Sequence, residues 1–197
     1  MSDTLATAAT HVLEVKHSRF IAQAAPATSP EAALAFLAQV TDPDATHNCW
    51  AYRIGGEYRS SDDGEPSGTA GRPILAAIEG QGYDQVVAVV TRWYGGIKLG
   101  AGGLVRAYGG AAAECLRRAQ RRALVALCEA TIVCPFDDLG SLHAALAAWS
   151  AQKMSEDFHE TGVTLHLRLP AARLDALKTH LRDATRNRVR FAESDPE

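Results

Sequence analysis

The run Ser60-Ser61-Asp62-Asp63-Gly64-Glu65-Pro66-Ser67-Gly68-Thr69-Ala70-Gly71-Arg72-Pro73 places three carboxylates ahead of a turn-rich stretch that ends on a helix-starting proline. Oxygen donors of this kind could hold a hard cation such as Mg²⁺. The spacing matches no calcium loop, which needs a ligand glutamate much further along. The expected role is structural, with no metal. Asp62, Asp63 and Glu65 would cap turns, complement a helix dipole and form internal ion pairs, while Gly64, Ser67, Gly68, Thr69 and Gly71 shape the loop.

A second run, residues 95–106, holds Gly95, Gly96, Gly100, Gly102 and Gly103 together with Lys98 and Arg106. Backbone N–H groups at such a helix entry could cradle a phosphate, with the two cations adding charge. The nucleotide templates fit poorly. A Walker loop needs Lys directly after its last Gly, whereas Ala101 follows Gly100; a dinucleotide fingerprint beginning at Gly100 would need Gly at 105 and meets Val105. Tight turns and close helix packing explain the glycines equally well. His47 and Cys49, two apart on a strand, point the same way and could pair as base and nucleophile. Nothing fixes a third member or an oxyanion hole, so a packing cysteine is expected. Near the end, Arg182 and Arg186 fall on one helix face and Arg188 and Arg190 on one strand face, either as a solvated surface or as RNA phosphate contacts.

Positioning these groups falls to elements whose periods are readable. A short strand at residues 19–22 precedes a helix with Ser29 as N-cap, Pro30 at its first position and Leu34, Leu37 and Val40 inward. Residues 49–54 form a strand, residues 59–71 a polar loop, and Pro73 opens a helix through Ile78. Residues 86–94 are β-branched and aromatic without alternation, which predicts a central strand buried on both faces. Seven of the sixteen glycines lie in residues 95–110, after which Leu104, Tyr108, Ala111 and Cys115 repeat at helical spacing. The charged stretch 117–122 is expected to cross the domain junction. Beyond it come a strand through Ala130, Ile132 and Cys134, a helix capped by Asp137 with Leu139, Leu142, Leu146 and Trp149 inward, and a strand at residues 153–158. Val163, Leu165, Leu167 and Leu169 then alternate, Pro170 starts a helix with Leu174, Leu177 and Leu181 inward, and residues 189–191 close the order βαββαβ. That order is the ferredoxin-like unit.

Composition sets the class. With 47% hydrophobic and 22% charged residues over 197 positions, collagen, coiled coil and wholesale disorder are excluded. The longest strongly apolar run, residues 86–90, falls far short of the ~20 residues that span a bilayer. The first ten residues lack the charged and apolar regions of a secretory signal and read as a frayed tail. Cys49, Cys115, Cys128 and Cys134 form no Cys-x-x-Cys pair, as in a reduced, cytoplasmic protein. Residues 1–115 carry 8 Lys and Arg against 12 Asp and Glu, and residues 116–197 carry 12 against 11. That balance disfavours indiscriminate nucleic-acid binding while leaving room for a local basic surface.

Four ordered blocks, residues 18–22, 45–53, 62–75 and 90–108, resemble the signatures of the YigZ/IMPACT family. The resemblance covers residues 12–118, and residues 124–197 resemble the extra C-terminal domain of its bacterial YigZ branch. Trp93-Tyr94 stands where many members have Tyr-Phe, which keeps an aromatic pair. The resemblance implies an α+β protein of two domains, residues 1–118 and 124–197. The first would be like the second domain of a small-subunit ribosomal protein, and the ferredoxin-like second like a C-terminal domain of elongation factor G. It further implies a cytoplasmic, non-enzymatic regulator or accessory factor of translation that binds RNA or the ribosome, with no cofactor and no membrane. Eukaryotic members regulate translation through a protein partner of a starvation-sensing kinase. A protein partner in translation control is therefore a second expectation, though the kinase pathway is not carried over. The rival reading is a small phosphate- or nucleotide-handling enzyme using the acidic and Gly-rich loops. In either case the two loops are expected to face one another across a shallow groove, with Arg72, Arg92, Lys98 and Arg106 supplying its positive charge.

Overall fold

A computed structural model describes residues 2–192 and divides the chain into two units, one running to Leu124 and the other starting at Val125. In the first unit the order is β1 (Asp3–Leu5), β2 (Ala9–Val15), β3 (Ser18–Pro26), α1 (Pro30–Val40), β4 (His47–Ile54), β5 (Glu57–Ser61), α2 (Gly71–Gly80), β6 (Val86–Trp93), α3 (Ala101–Arg118) and β7 (Arg121–Ala123). Five strands make an antiparallel sheet in the order β2-β3-β6-β4-β5. The run without alternation is its centre. Val90, Ala88 and Val86 of β6 pack beneath α2 and α3 with Phe20, Cys49, Ile74 and Tyr108, while Val87 and Val89 pack with Tyr52 and Ala33 of α1 on the opposite face.

Several elements depart from the sequence reading. The supposed frayed tail is structured: β1 pairs with β7, Leu5 is fully buried, and the Thr4 hydroxyl donates to the Gln85 carbonyl at 2.8 Å. The polar stretch read as a loop from residue 59 begins later, because β5 pairs with β4 through Ser61. Ser29 does cap α1, accepting from the Ala32 N–H at 3.2 Å. Its inward face, however, is Ala33, Phe36, Leu37 and Val40, and Leu34 is 40% exposed. The stretch 117–122 ends α3 and supplies β7, so the first unit runs on to Leu124 rather than stopping at Arg118.

In the second unit β8 (Leu127–Pro135), α4 (Leu139–Ala148), β9 (Gln152–His159), β10 (Gly162–Pro170), α5 (Leu174–Ala184) and β11 (Arg190–Ala192) follow the expected order. The sheet is antiparallel in the order β11-β8-β10-β9, the ferredoxin-like arrangement. Val163, Leu165, Leu167 and Leu169 are buried with Leu142, Leu146, Leu177 and Leu181, each such side chain contributing about 1.5–3 kcal/mol. A 3-10 turn precedes each helix. Pro170 therefore ends β10 instead of starting α5. Asp137 does not cap α4; Asp138 holds the N-cap position, and its carboxylate is turned to Arg188.

Candidate functional site: a buried polar knot and two cationic surfaces

Strand alternation puts Arg92 on the same face of β6 as Ala88 and Val90, beneath α3, where it is 5% exposed. Its Nη1 donates to Glu65 Oε1 at 2.5 Å, and the Tyr108 hydroxyl donates to the same oxygen at 2.7 Å. Nη2 reaches Ser18 Oγ at 3.4 Å, and that oxygen also accepts from the Gly95 N–H. The rings of Phe20 and Tyr94 flank the guanidinium at 5.5 and 5.4 Å. Its buried Nε has no hydrogen-bond partner. His47 Nε2 stands 3.8 Å from Glu65. Ser18, His47, Glu65, Arg92 and Tyr108 come from all four sequence blocks, so the fold gathers the blocks into one buried cluster.

The other carboxylates of the acidic loop are also taken up by the protein's own backbone N–H groups. Asp62 accepts from the N–H groups of Gly68, Ala70 and Gly71 at 2.7, 3.0 and 2.8 Å, supplying the cap that Ala70, at the N-cap of α2, has no side-chain oxygen to provide. Burial alone would raise the Asp62 carboxyl, but those three N–H groups and nearby Arg72 outweigh it and hold the carboxyl below its ordinary range. Asp63 accepts from the Asn48 N–H at 2.5 Å, and its carbonyl lies 2.7 Å from His47 Nδ1. Gly71 is required here, since a Cβ would lie 2.7 Å from the Ser61 carbonyl oxygen. Cys49 contributes packing: its thiol donates to the Asp62 carbonyl at 3.0 Å, and burial pushes it up to about 12. A thiol so protonated at neutral pH is no nucleophile.

The four cations expected to share a groove do not come together. Arg92 is buried against Glu65. Arg72 lines a cleft with Tyr58, Arg59 and Leu75 beside β5. Arg106 lines a different cleft, of about 180 Å³, with Leu13, Lys16, Leu99 and Gly103. What the Gly-rich loop does provide is an exposed stretch of chain. Gly96 and Gly100 take φ values of +85° and +71°, and the turn they permit exposes Tyr94 (45%), Ile97 (42%) and Lys98. α3 then begins at Gly100 with no side-chain cap and no acidic residue in its first turn, and it exposes Val105 (41%) and Arg106. At Gly102 a Cβ would make only ordinary contact with the Arg106 side chain, while at Gly103 it would press on Leu99, so only part of the glycine run is dictated by packing.

In the second unit the four arginines separate. Arg188 forks the buried Asp138 through Nε and Nη2 at 2.8 and 2.6 Å, which holds the Asp138 carboxyl low. Arg186 sits in a left-handed turn with φ +52°, off the α5 face. Arg182 and Arg190 do meet, in a groove with Thr179, Asn187 and a residue the sequence reading missed, Lys178. Its signal was present: Lys178 precedes Arg182 by one helical turn. Among the described residues no helix is long and apolar enough to cross a membrane.

A two-unit α+β chain built around such a knot defines a class with known relatives. Residues 16–116 match the Impact N-terminal domain, and residues 132–188 match a domain of unknown function, DUF1949. The chain is 40% identical over 189 residues to "IMPACT family member YigZ" of Escherichia coli, covering 92% of each. It is 54% identical over 156 residues to "IMPACT family member in pol 5'region" of Thermus thermophilus, covering 79% of this chain and 86% of that one. It therefore belongs to the IMPACT family. Mouse "Protein IMPACT" is 39% identical over 95 residues, covering 43% of this chain and 29% of its own length. A crystal structure described as that of a hypothetical protein superimposes over both full chains with a TM-score of 0.73 at 37% identity.

Proposed function

We propose that this protein is a cytoplasmic, non-catalytic accessory factor of translation that binds RNA or the ribosome. The observation that carries the reading is the exposed segment of residues 94–106. Along this segment the chain exposes a tyrosine, two aliphatic side chains, Lys98, Arg106 and an uncapped helix start. Bases stack on an aromatic ring while phosphates meet cations and free N–H groups, which is the combination single-stranded RNA recognises. The groove of Lys178, Arg182 and Arg190 adds a second phosphate-binding surface. Of the two loops the enzyme reading invoked, the acidic one has its carboxylates engaged by Arg92, Tyr108 and backbone N–H groups.

Co-sedimentation with ribosomes from its own cells, alongside anisotropy with a labelled single-stranded RNA, tests the reading. Binding lost or cut at least about tenfold in the Lys98→Ala, Arg106→Ala double variant, at unchanged melting temperature, is expected. Unaltered binding by that folded variant, or turnover of a nucleotide by the native chain, rejects it.

A further inference from the structure

Phe136 and Phe158 of the second unit are 48% and 66% exposed, yet their rings stack on one another, with centroids 6.5 Å apart and planes 13° from parallel. Register explains the meeting. Gly162 pairs with Pro135 on one side and His159 on the other, so the turn after β8 and the hairpin turn after β9 lie at the same end of the sheet. Two phenylalanines so presented form an exposed apolar patch, and exposed apolar surface of this kind marks an interaction site.

The charge around the pair selects the partner. Asp137 follows Phe136 directly, Glu160 lies in the hairpin turn beyond Phe158, and both are exposed. Arg188, the cation joined to the residue after Asp137, is already engaged by Asp138. An acidic rim repels a phosphate backbone, so the aromatic pair is not a base-stacking platform. It suits a guanidinium or ammonium laid on an aromatic face with a carboxylate alongside. β9 also forms an edge of the four-stranded sheet, seven of its eight residues are exposed, and its outer side is unpaired among the described residues. Such an edge accepts an extended segment through its main chain.

We infer that this end of the second unit docks an extended, positively charged segment of a partner protein. Added main chain pairs along β9, an arginine or lysine lies over Phe158 and Phe136, and Asp137 and Glu160 take its charge. The surface stands apart from the RNA-binding reading and involves none of its residues.

The probe is a fluorescein-labelled eight-residue peptide alternating Arg and Leu, titrated with the full chain and followed by anisotropy. The same peptide with Glu for Arg and a labelled single-stranded RNA serve as controls. Phe136→Ala with Phe158→Ala, and separately Asp137→Asn with Glu160→Gln, should each weaken the Arg peptide about tenfold at unchanged melting temperature. The charge variant alters only exposed side chains and keeps the test decisive if the aromatic variant misfolds. The inference is overturned if the Arg peptide does not bind, if it binds no better than the Glu peptide, or if the folded variants leave its affinity unchanged. It is equally overturned if the aromatic variant instead loses RNA binding or self-association, which would hand the surface to nucleic acid or to a second copy.

Discussion

Replacing Glu65 by Gln keeps the shape of the side chain and an oxygen for the Tyr108 hydroxyl, but leaves the Arg92 charge without its counter-charge. The two side chains are 6% and 4% exposed, so water cannot stand in. Removing one partner of a buried pair costs about 3–5 kcal/mol, a large share of the roughly 5–15 kcal/mol by which domains are stable. At roughly 2–4 °C per kcal/mol the melting temperature should fall by about 6–20 °C. Thermal unfolding followed by circular dichroism, with urea unfolding as a check on the free energy, measures it. A triple variant separates charge from packing. Glu65→Leu, Arg92→Met and Tyr108→Phe together remove the ion pair and the hydroxyl that shares its oxygen, and should recover most of the loss because an apolar replacement of a buried pair is often neutral. A drop under about 1 kcal/mol in Glu65→Gln, smaller than the cost of an orphaned buried charge, would refute the reasoning. So would a triple variant no more stable than the single one.

Asp62 titrates below its ordinary 3.8, so the unfolded chain binds more protons on acidification. Its stabilisation is present above that value and disappears as pH falls toward the lower folded value; acid unfolding of Asp62→Ala should lose that part of the pH dependence and cost about 0.5–2 kcal/mol at neutral pH as a lost cap. Because all three loop carboxylates are bonded within the protein, excess chelator should leave the melting temperature unchanged in calorimetry; a large fall restored by Mg²⁺ would show a bound cation. Gly95→Ala should destabilise severely, its Cβ meeting the His17 carbonyl carbon at 2.0 Å, whereas Gly102→Ala, in a helix with only the Arg106 Nη1 at 3.6 Å, should gain up to about 0.5–1 kcal/mol in urea titrations. If RNA lies in the groove of the second unit, three phosphate contacts through Lys178, Arg182 and Arg190 give a log–log salt slope near −2, at roughly 0.7 per contact on a single strand. Gln at all three should flatten it, and Arg188→Gln, already tied to Asp138, should change the slope little.

How legible this was in the sequence depended on range. β6 and α3 announced themselves because their patterns are local, as did the alternation in β10. The β1–β7 pair did not, because three residues carry no period and the partner strand lies over a hundred positions away. Arg92 reads as a surface cation in the sequence although Ala88, Val90 and Arg92 share one strand face. An arginine at the end of a doubly buried strand needs a buried carboxylate, a requirement the sequence reading did not draw when it assigned Arg92 to an open groove. Which carboxylate it found could not be read, since Glu65, Asp62 and Asp63 differ only in how the loop closes over β4. Lys98 and Arg106 were recognised as cations, but helix rotation places Arg106 toward β2 and not toward Glu65, a distinction that only the three-dimensional packing makes.

The pairing of Asp3–Leu5 with Arg121–Ala123 makes the first unit a closed loop of chain, with Ala6 N–H bonded to the Gln120 carbonyl and Leu124 N–H to that of Ser2. During synthesis at about 5–20 residues per second, β1 emerges roughly 6–25 s before β7 exists. Leu5 must wait through that interval without its partner strand. The first unit is therefore completed last at its beginning, and a nascent chain halted before residue 121 should carry a folded sheet with an unclasped leading segment. The same closure brings entry and exit points together, so a circular permutant joining them and opened at the β4–β5 turn should fold.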